Sequence, residues 1–250
     1  MMSLTGKVAL ITGSSRGIGK AIAERYARLG AAIVVNHHQD VAQADQTVEF
    51  LKSLGASAIS VQADISQVQD VQELFEKARL AFGRIDIVVA NAGVELVNLP
   101  FANVTEEQFD RMFSINTKGA FFTMQSAAKH LEDNGRIIYI GSSSTAYPMP
   151  GYALYGSSKI TAHYLVQVLA KEVGRRGIAV NGLIPTVVEG AGIHTVVAED
   201  APIKKFIADF CPMGRMGTLK DVANVAEFFA SDLSSFVSGQ LLMVTGGGLA

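Results

Sequence analysis

The chain of 250 residues has a single cysteine, Cys211, which excludes an intrachain disulfide and a thiolate metal cage. That thiol reads as a small, partly buried side chain. An excess of one charge is also missing: 21 Lys and Arg stand against 23 Asp and Glu, a formal net charge of −2. The basic footprint of a nucleic-acid or anionic-lipid binder is therefore absent. No run approaches the ~20 apolar residues that span a bilayer, and Met1-Met2-Ser3-Leu4-Thr5-Gly6-Lys7 has no apolar signal core. The expectation is a cytoplasmic protein with no nucleic-acid and no membrane partner. No Pro/Ser-rich linker, charge block or internal repeat interrupts the chain, so 1–250 is expected to be one domain.

What is present is apolar material, 49% of residues, in a regular arrangement. Short β-branched runs at Lys7–Thr12, Ala31–Asn36, Ala58–Ala63, Asp86–Asn91, Arg136–Ser142, Ile178–Ile184 and Gln240–Thr245 alternate with longer amphipathic stretches. Ser66-Gln67-Val68-Gln69 and Thr105-Glu106-Glu107-Gln108 match a capping box, and Gly30, Gly55, Gly83, Gly135 and Gly177 stand where helices should stop. Strand–helix alternation implies parallel pairing, and runs such as Val8-Ala9-Leu10-Ile11, apolar without alternation, suit strands covered on both faces. The expected architecture is a doubly wound α/β (Rossmann) fold: a seven-stranded parallel sheet with helices on both sides.

Thr12-Gly13-Ser14-Ser15-Arg16-Gly17-Ile18-Gly19 follows the first strand and opens the first helix. There a diphosphate can approach bare amides at the positive end of a helix, and Gly13, Gly17 and Gly19 keep the approach clear. A nucleotide-hydrolase phosphate loop would need glycine where Ser14 stands and Ser or Thr where Ala21 stands. Ser15, Arg16 and Ile18 complete the candidate cofactor turn. At the end of the second strand an acid would bond the ribose hydroxyls of NAD(H) and repel a 2′-phosphate. The chain reads Val35-Asn36-His37-His38 there, with no acid until Asp40. With Arg16 in reach of a phosphate, His37 and His38 join the candidate cofactor residues; NADP(H) is favoured and NAD(H) is the alternative. No further ligand stands at metal spacing from the two histidines, so no metal is expected.

Tyr155 and Lys159 stand four residues apart, on one helix face, where an ammonium favours phenolate and lowers the phenol pKa. Ser142 ends the fifth strand, Asn91-Ala92-Gly93 ends the fourth, and Asn116 follows Ile115 in a helical stretch. These strand ends converge on the crevice where open α/β sheets bind ligands.

Taken together, the glycine turn, Asn91-Ala92-Gly93, Asn116, Ser142 and Tyr155/Lys159 resemble the short-chain dehydrogenase/reductase family over nearly the whole chain. The resemblance implies that Tyr155 exchanges a proton with the substrate oxygen while Ser142 polarises it. Lys159 would hold the nicotinamide ribose, and Asn116 would anchor a water in the proton path. Asp64 and Ile65 would contact adenine, with Asn91, Ala92 and Gly93 beside the adenosine ribose. The family usually follows the sixth strand with Pro-Gly and then Thr; here the run is Pro185-Thr186-Val187-Val188-Glu189-Gly190. Nicotinamide contacts on that side pass to Pro185 and the backbone of Val188, or to Thr195 folding back. Residues 186–216 are expected to form a substrate lid. The pocket candidates, Ser144, Tyr147, Met149 and Tyr152 with Val94, Leu96, Ile193 and Phe206, suit an apolar small-molecule ketone or alcohol. Arg176 matches one of two arginines that carrier-protein reductases of this type use for docking, whereas Asp133 stands near the other. The family implies a homotetramer or dimer. The expected activity is NADP(H)-dependent interconversion of a ketone and a secondary alcohol. The alternatives are a non-catalytic dinucleotide-binding sensor or scaffold, or an NAD-dependent sugar or steroid alcohol dehydrogenase.

Overall fold

Successive side chains of the first strand feed two different cores: Ala9 and Ile11 pack on one face of the sheet, Val8 and Leu10 on the other. A strand apolar on both faces needs cover on both faces, and the computed structural model, which describes residues 3–192, 195 and 202–248, supplies it. In chain order the elements are β1 (Val8–Ile11), α1 (Gly17–Arg28), β2 (Ala32–His37), α2 (Val41–Ser53), β3 (Ala58–Gln62), α3 (Val68–Phe82) and β4 (Ile87–Ala90). There follow α4 (Glu106–Phe113), α5 (Ala120–His130), β5 (Arg136–Ile140), α6 (Ala153–Val173), β6 (Ala179–Pro185), β7 (Val188–Glu189), α7 (Pro202–Phe210), β8 (Gly217–Thr218), α8 (Leu219–Ala230) and β9 (Leu241–Val244).

Seven strands form one parallel sheet in the order β3-β2-β1-β4-β5-β6-β9, as the apolar runs imply. The winding reverses between β1 and β4, which opens a crevice at the carboxyl ends of those two strands. β7 and β8 were not anticipated: they form a separate parallel pair, Val188 opposite Gly217, at the two ends of the irregular stretch. Among the described residues no helix is long and apolar enough to cross a membrane.

Two local expectations change. The Thr105 box is formed, with Thr105 and Gln108 capping each other, but the Ser66 box is not. Asp64 takes the Ser66 N–H at 2.9 Å and Asp70 takes that of Asp64 at 2.9 Å, and α3 begins at Val68, preceded by Gln67, which supplies no side-chain cap. Gly135 does not end α5 either. That helix stops at His130, and Asn134 is the residue that takes the left-handed conformation, at φ 63°. Gly135 is small for another reason: a Cβ there would lie 2.9 Å from the Glu132 carbonyl and 3.0 Å from that of Asp86.

Candidate active site

The glycine turn is tied to both neighbouring strands. Asn36, at the end of β2, accepts the Gly13 N–H through Oδ1 at 3.0 Å, and Asn91 Nδ2 donates to the carbonyls of Thr12 (2.9 Å) and Gly13 (3.1 Å). Thr12 Oγ1 takes the N–H groups of Asn91 and Ala92 at 3.0 and 3.1 Å. The turn lies so close to these partners that a Cβ on Gly13 would stand 2.9 Å from Ala92 Cα. One on Gly19 would stand 2.6 Å from both Asn91 Nδ2 and the Gly13 carbonyl. The Ser15 carbonyl is held by Thr47 Oγ1 at 2.9 Å, and Ile18 packs on the core. No side chain caps α1 and no acid lies in its first turn, so its N-terminal amides keep their positive potential. A bare, backbone-lined concavity at an uncapped helix start fits a diphosphate.

Beside this turn, the two histidines part company. His37 is the last residue of β2 and is buried, with Nδ1 lacking a hydrogen-bond partner; burial holds its pKa below the ordinary value. His38 is exposed, its Nε2 3.6 Å from an Asp64 carboxyl oxygen. Arg16, the residue before α1, is exposed. Asp64 caps the turn into α3, and Ile65 is buried against Gly119.

The polar side chains of the crevice come from the end of β5, from α6 and from the turn between α4 and α5. Ser142, just beyond β5, receives a hydrogen bond from Ser144 Oγ at 3.0 Å, and its hydroxyl is placed to favour the Tyr155 phenolate. Since the Ser144 proton is spent on Ser142, the Ser142 proton is free for an oxygen opposite it. Lys159, one turn beyond Tyr155, is buried, donates to the Ile140 carbonyl at 3.4 Å and lies 5.7 Å from the Tyr139 ring centre. Asn116 sits in a π-helical turn between α4 and α5. Its amide clasps the Val94 backbone, taking N–H at 2.8 Å and giving to C=O at 2.9 Å, and donates to Ser158 Oγ at 2.9 Å. Gly93 leaves room for both neighbours: a Cβ there would lie 2.9 Å from Lys159 Nζ and 3.0 Å from Asn116 Oδ1.

The phenol does not follow the simple expectation. Burial pushes the Tyr155 pKa up, Glu95 adds to the rise, and only the Ser142 hydrogen bond opposes them. Burial also pulls Lys159 down, to about 8. Desolvation acts on both partners at once, against the charged form of each. Glu95 is the residue sequence reasoning missed. It follows Val94 at the strand end, and its charge also raises Tyr152, after burial. Its position two residues past Asn91-Ala92-Gly93 was the available signal.

Of the substrate candidates, Ser144, Tyr147, Tyr152, Val94 and Leu96 are half-buried. Met149 is exposed to 48% and Phe206 to 57%, the latter tilted against Phe210 with ring centres 4.7 Å apart, so Phe206 faces outward in α7. Pro185 is the buried last residue of β6. Val188 is buried in β7, and its carbonyl accepts the Ala191 N–H at 3.2 Å. Thr195 does not fold back: its hydroxyl donates to the Gly192 carbonyl at 2.7 Å. Ile193 lies outside the described residues. Arg176 braces the end of α5, giving to Asp133 at 2.8 Å and to the carbonyls of Ala128 and Leu131.

The sheet order, the glycine turn and the Ser142/Tyr155/Lys159 cluster define a nucleotide-dependent oxidoreductase architecture. A family model described as Enoyl-(Acyl carrier protein) reductase matches residues 13–248. The chain is 39% identical to a hydroxynaphthalene reductase-like protein of Metarhizium brunneum, over 98% of this chain and 96% of that one. Among solved structures it is similar to a Burkholderia cenocepacia short-chain dehydrogenase in complex with NADP (TM-score 0.90, 31% identity, 98% of each chain). It is likewise similar to LugOII, a promiscuous reductase catalysing keto-reduction at C1 during lugdunomycin biosynthesis (TM-score 0.91, 36% identity, 99% of each chain). The chain belongs to the short-chain dehydrogenase/reductase family of oxidoreductases.

Proposed function

We propose that the protein is an NADP(H)-dependent oxidoreductase that interconverts a ketone and a secondary alcohol, with Tyr155 as the general acid/base. The observation that carries this reading is the Ser142 hydroxyl set where it favours the Tyr155 phenolate, with buried Lys159 one helical turn beyond. Two hydroxyls converging on one point address an oxygen rather than a carbon–carbon bond. The nicotinamide, when bound, supplies or accepts the hydride. Gly13, Ser15, Gly17, Ile18 and Gly19 would hold its diphosphate and Lys159 the ribose beside it. Asp64, Ile65, Asn91, Ala92 and Gly93 would line the adenosine side, with Pro185 and Val188 behind the nicotinamide. Tyr155 gives its proton to the carbonyl oxygen as negative charge builds there. Ser142 donates to the same oxygen, fed from behind by Ser144. Asn116 acts by holding the Val94 backbone at the cleft wall.

The 2′-phosphate preference rests on the absence of an acid at Asn36-His37-His38, on exposed Arg16 beside it, and on the NADP bound in two Burkholderia relatives. NADH is the weaker alternative. An apolar or aromatic ketone fits Tyr147, Tyr152, Val94 and Leu96, and relatives named for hydroxynaphthalene and for keto-reduction favour that class. Residues 186–216 would close over it. Assembly as a homotetramer or dimer would cover exposed Phe109, Phe121, Ile160 and Tyr164 on α4, α5 and α6.

The test is turnover of NADPH with a panel of aromatic ketones, alongside an enoyl thioester. Tyr155→Phe should lose about 10²–10⁴-fold in kcat on the ketone with NADPH binding intact. Undiminished ketone turnover in that variant, or reduction of the enoyl thioester alone by the wild type, refutes the assignment.

A further inference from the structure

One face of α6 presents three ionisable side chains in successive turns: Tyr155, Lys159 and His163. The reading above uses the first two. His163 lies beneath the loop that carries Ser142. Its Nε2 would be 3.2 Å from a Cβ on Gly141, so the ring approaches the chain closely because residue 141 has no side chain. Its ring packs edge-on against Tyr139 of β5, with centroids 6.3 Å apart, and its Nε2 reaches Thr145 Oγ1 at 3.5 Å.

The proton inventory gives that contact a direction. Thr145 has one hydroxyl proton, and it goes to the Ser142 carbonyl at 2.7 Å. Toward His163 the Thr145 oxygen can only accept, so Nε2 must carry the hydrogen. The ionisable groups facing the ring are Lys159 on α6 and Tyr139 on β5; burial and the Lys159 charge both hold the imidazole below its ordinary pKa. It is therefore neutral at neutral pH, in a single tautomer set by its partner.

We infer that His163 is a positioning residue for the catalytic loop: its Nε2–H holds the Thr145 hydroxyl, which holds the Ser142 carbonyl and so fixes the serine side chain opposite Tyr155. The inference rests on the proposed pairing of Ser142 and Tyr155. A loop held this way cannot let Ser142 swing out of line, and small misplacements of a polarising group cost rate more than affinity.

Two readouts on the full-length protein test it. Long-range ¹H–¹⁵N NMR at pH 7.5 should show His163 as the Nε2–H tautomer, shifting toward a mixture in Thr145→Val; a dominant Nδ1–H form in the wild type overturns the proposal. In ketone reduction, His163→Leu should lose about tenfold in kcat, while His163→Gln, which keeps an N–H donor, should stay within about threefold. KM for ketone and Kd for NADPH should change less than about twofold in both. An unchanged kcat in His163→Leu, equal losses in Leu and Gln, or a matching loss of NADPH affinity also overturns it. Should His163→Leu fail to fold, Thr145→Val must show the same kcat loss, and full activity there refutes the link. Failure of the underlying reading looks different: Tyr155→Phe would keep its turnover while the tautomer stayed as stated.

Discussion

Lys159 Nζ occupies the space beside Gly93, 2.9 Å from where a Cβ on that glycine would stand. The bare end of β4 thus makes room for a buried ammonium carried by α6. Desolvating that ammonium is costly, and the cost shows in its pKa of about 8.

The first prediction concerns this charge. Lysine's ordinary value is 10.5, so below pH 8 both folded and unfolded chains hold the proton and the burial penalty is fully present. Between the two values the folded chain sheds its proton first, and stability from this group rises with pH. Lys159→Met should therefore stabilise the protein at pH 7 by about 2–3 kcal/mol, seen as an unfolding temperature several degrees higher, with the gain shrinking above pH 8. Turnover should fall by more than about 10²-fold. A lower unfolding temperature at pH 7 would refute the buried-charge argument.

Gly19 lies inside α1 with ordinary helical geometry, so its replacement tests space alone. In Gly19→Ala the new methyl would press on Asn91 Nδ2 and the Gly13 carbonyl, each 2.6 Å away. The expected result is a loss of about 1–3 kcal/mol in denaturant unfolding and at least roughly tenfold weaker NADPH binding. Wild-type binding in this variant would place the diphosphate elsewhere.

Arg16 makes a charge-specific prediction. NADPH should bind more tightly than NADH in fluorescence titrations, and Arg16→Ala should narrow the gap by about tenfold or more, because a charge-assisted contact to the 2′-phosphate is lost while the diphosphate site is untouched. Equal affinity for the two cofactors in the wild type sinks the preference.

Asn116 holds a peptide rather than a ligand. Asn116→Ala removes both bonds to Val94 and the one to Ser158, so the Val94 amide should exchange with solvent at least about tenfold faster and unfolding should become easier by about 1–3 kcal/mol. Unaltered exchange at Val94 would show that the clasp is not what orders the cleft wall.

The seven strands of the large sheet were legible because a parallel strand covered on both faces must be apolar throughout, as Val8-Ala9-Leu10-Ile11 and Ile87-Val88-Val89-Ala90 are. The Thr105 cap was legible for a similarly local reason. Ser66 and Gly135 behave otherwise because other groups compete: the Asp64 carboxylate takes the Ser66 N–H that its box needs, and the Asp86 carbonyl crowds Gly135. Phe206 has the composition of a pocket residue, yet it packs at a tilt against Phe210 at the surface.

Local chemistry in the chain was enough to determine the parallel sheet, the glycine turn, and Tyr155 and Lys159 on one helix face, because each depends on spacing over a few residues and on apolar cover. The tertiary structure decided the electrostatics. Burial dominates the Tyr155 and Lys159 protons, Glu95 adds its charge from the loop after β4, and Arg176 braces α5 and Asp133. Those outcomes depend on which groups exclude water together, and that is a property of packing between segments far apart in the chain.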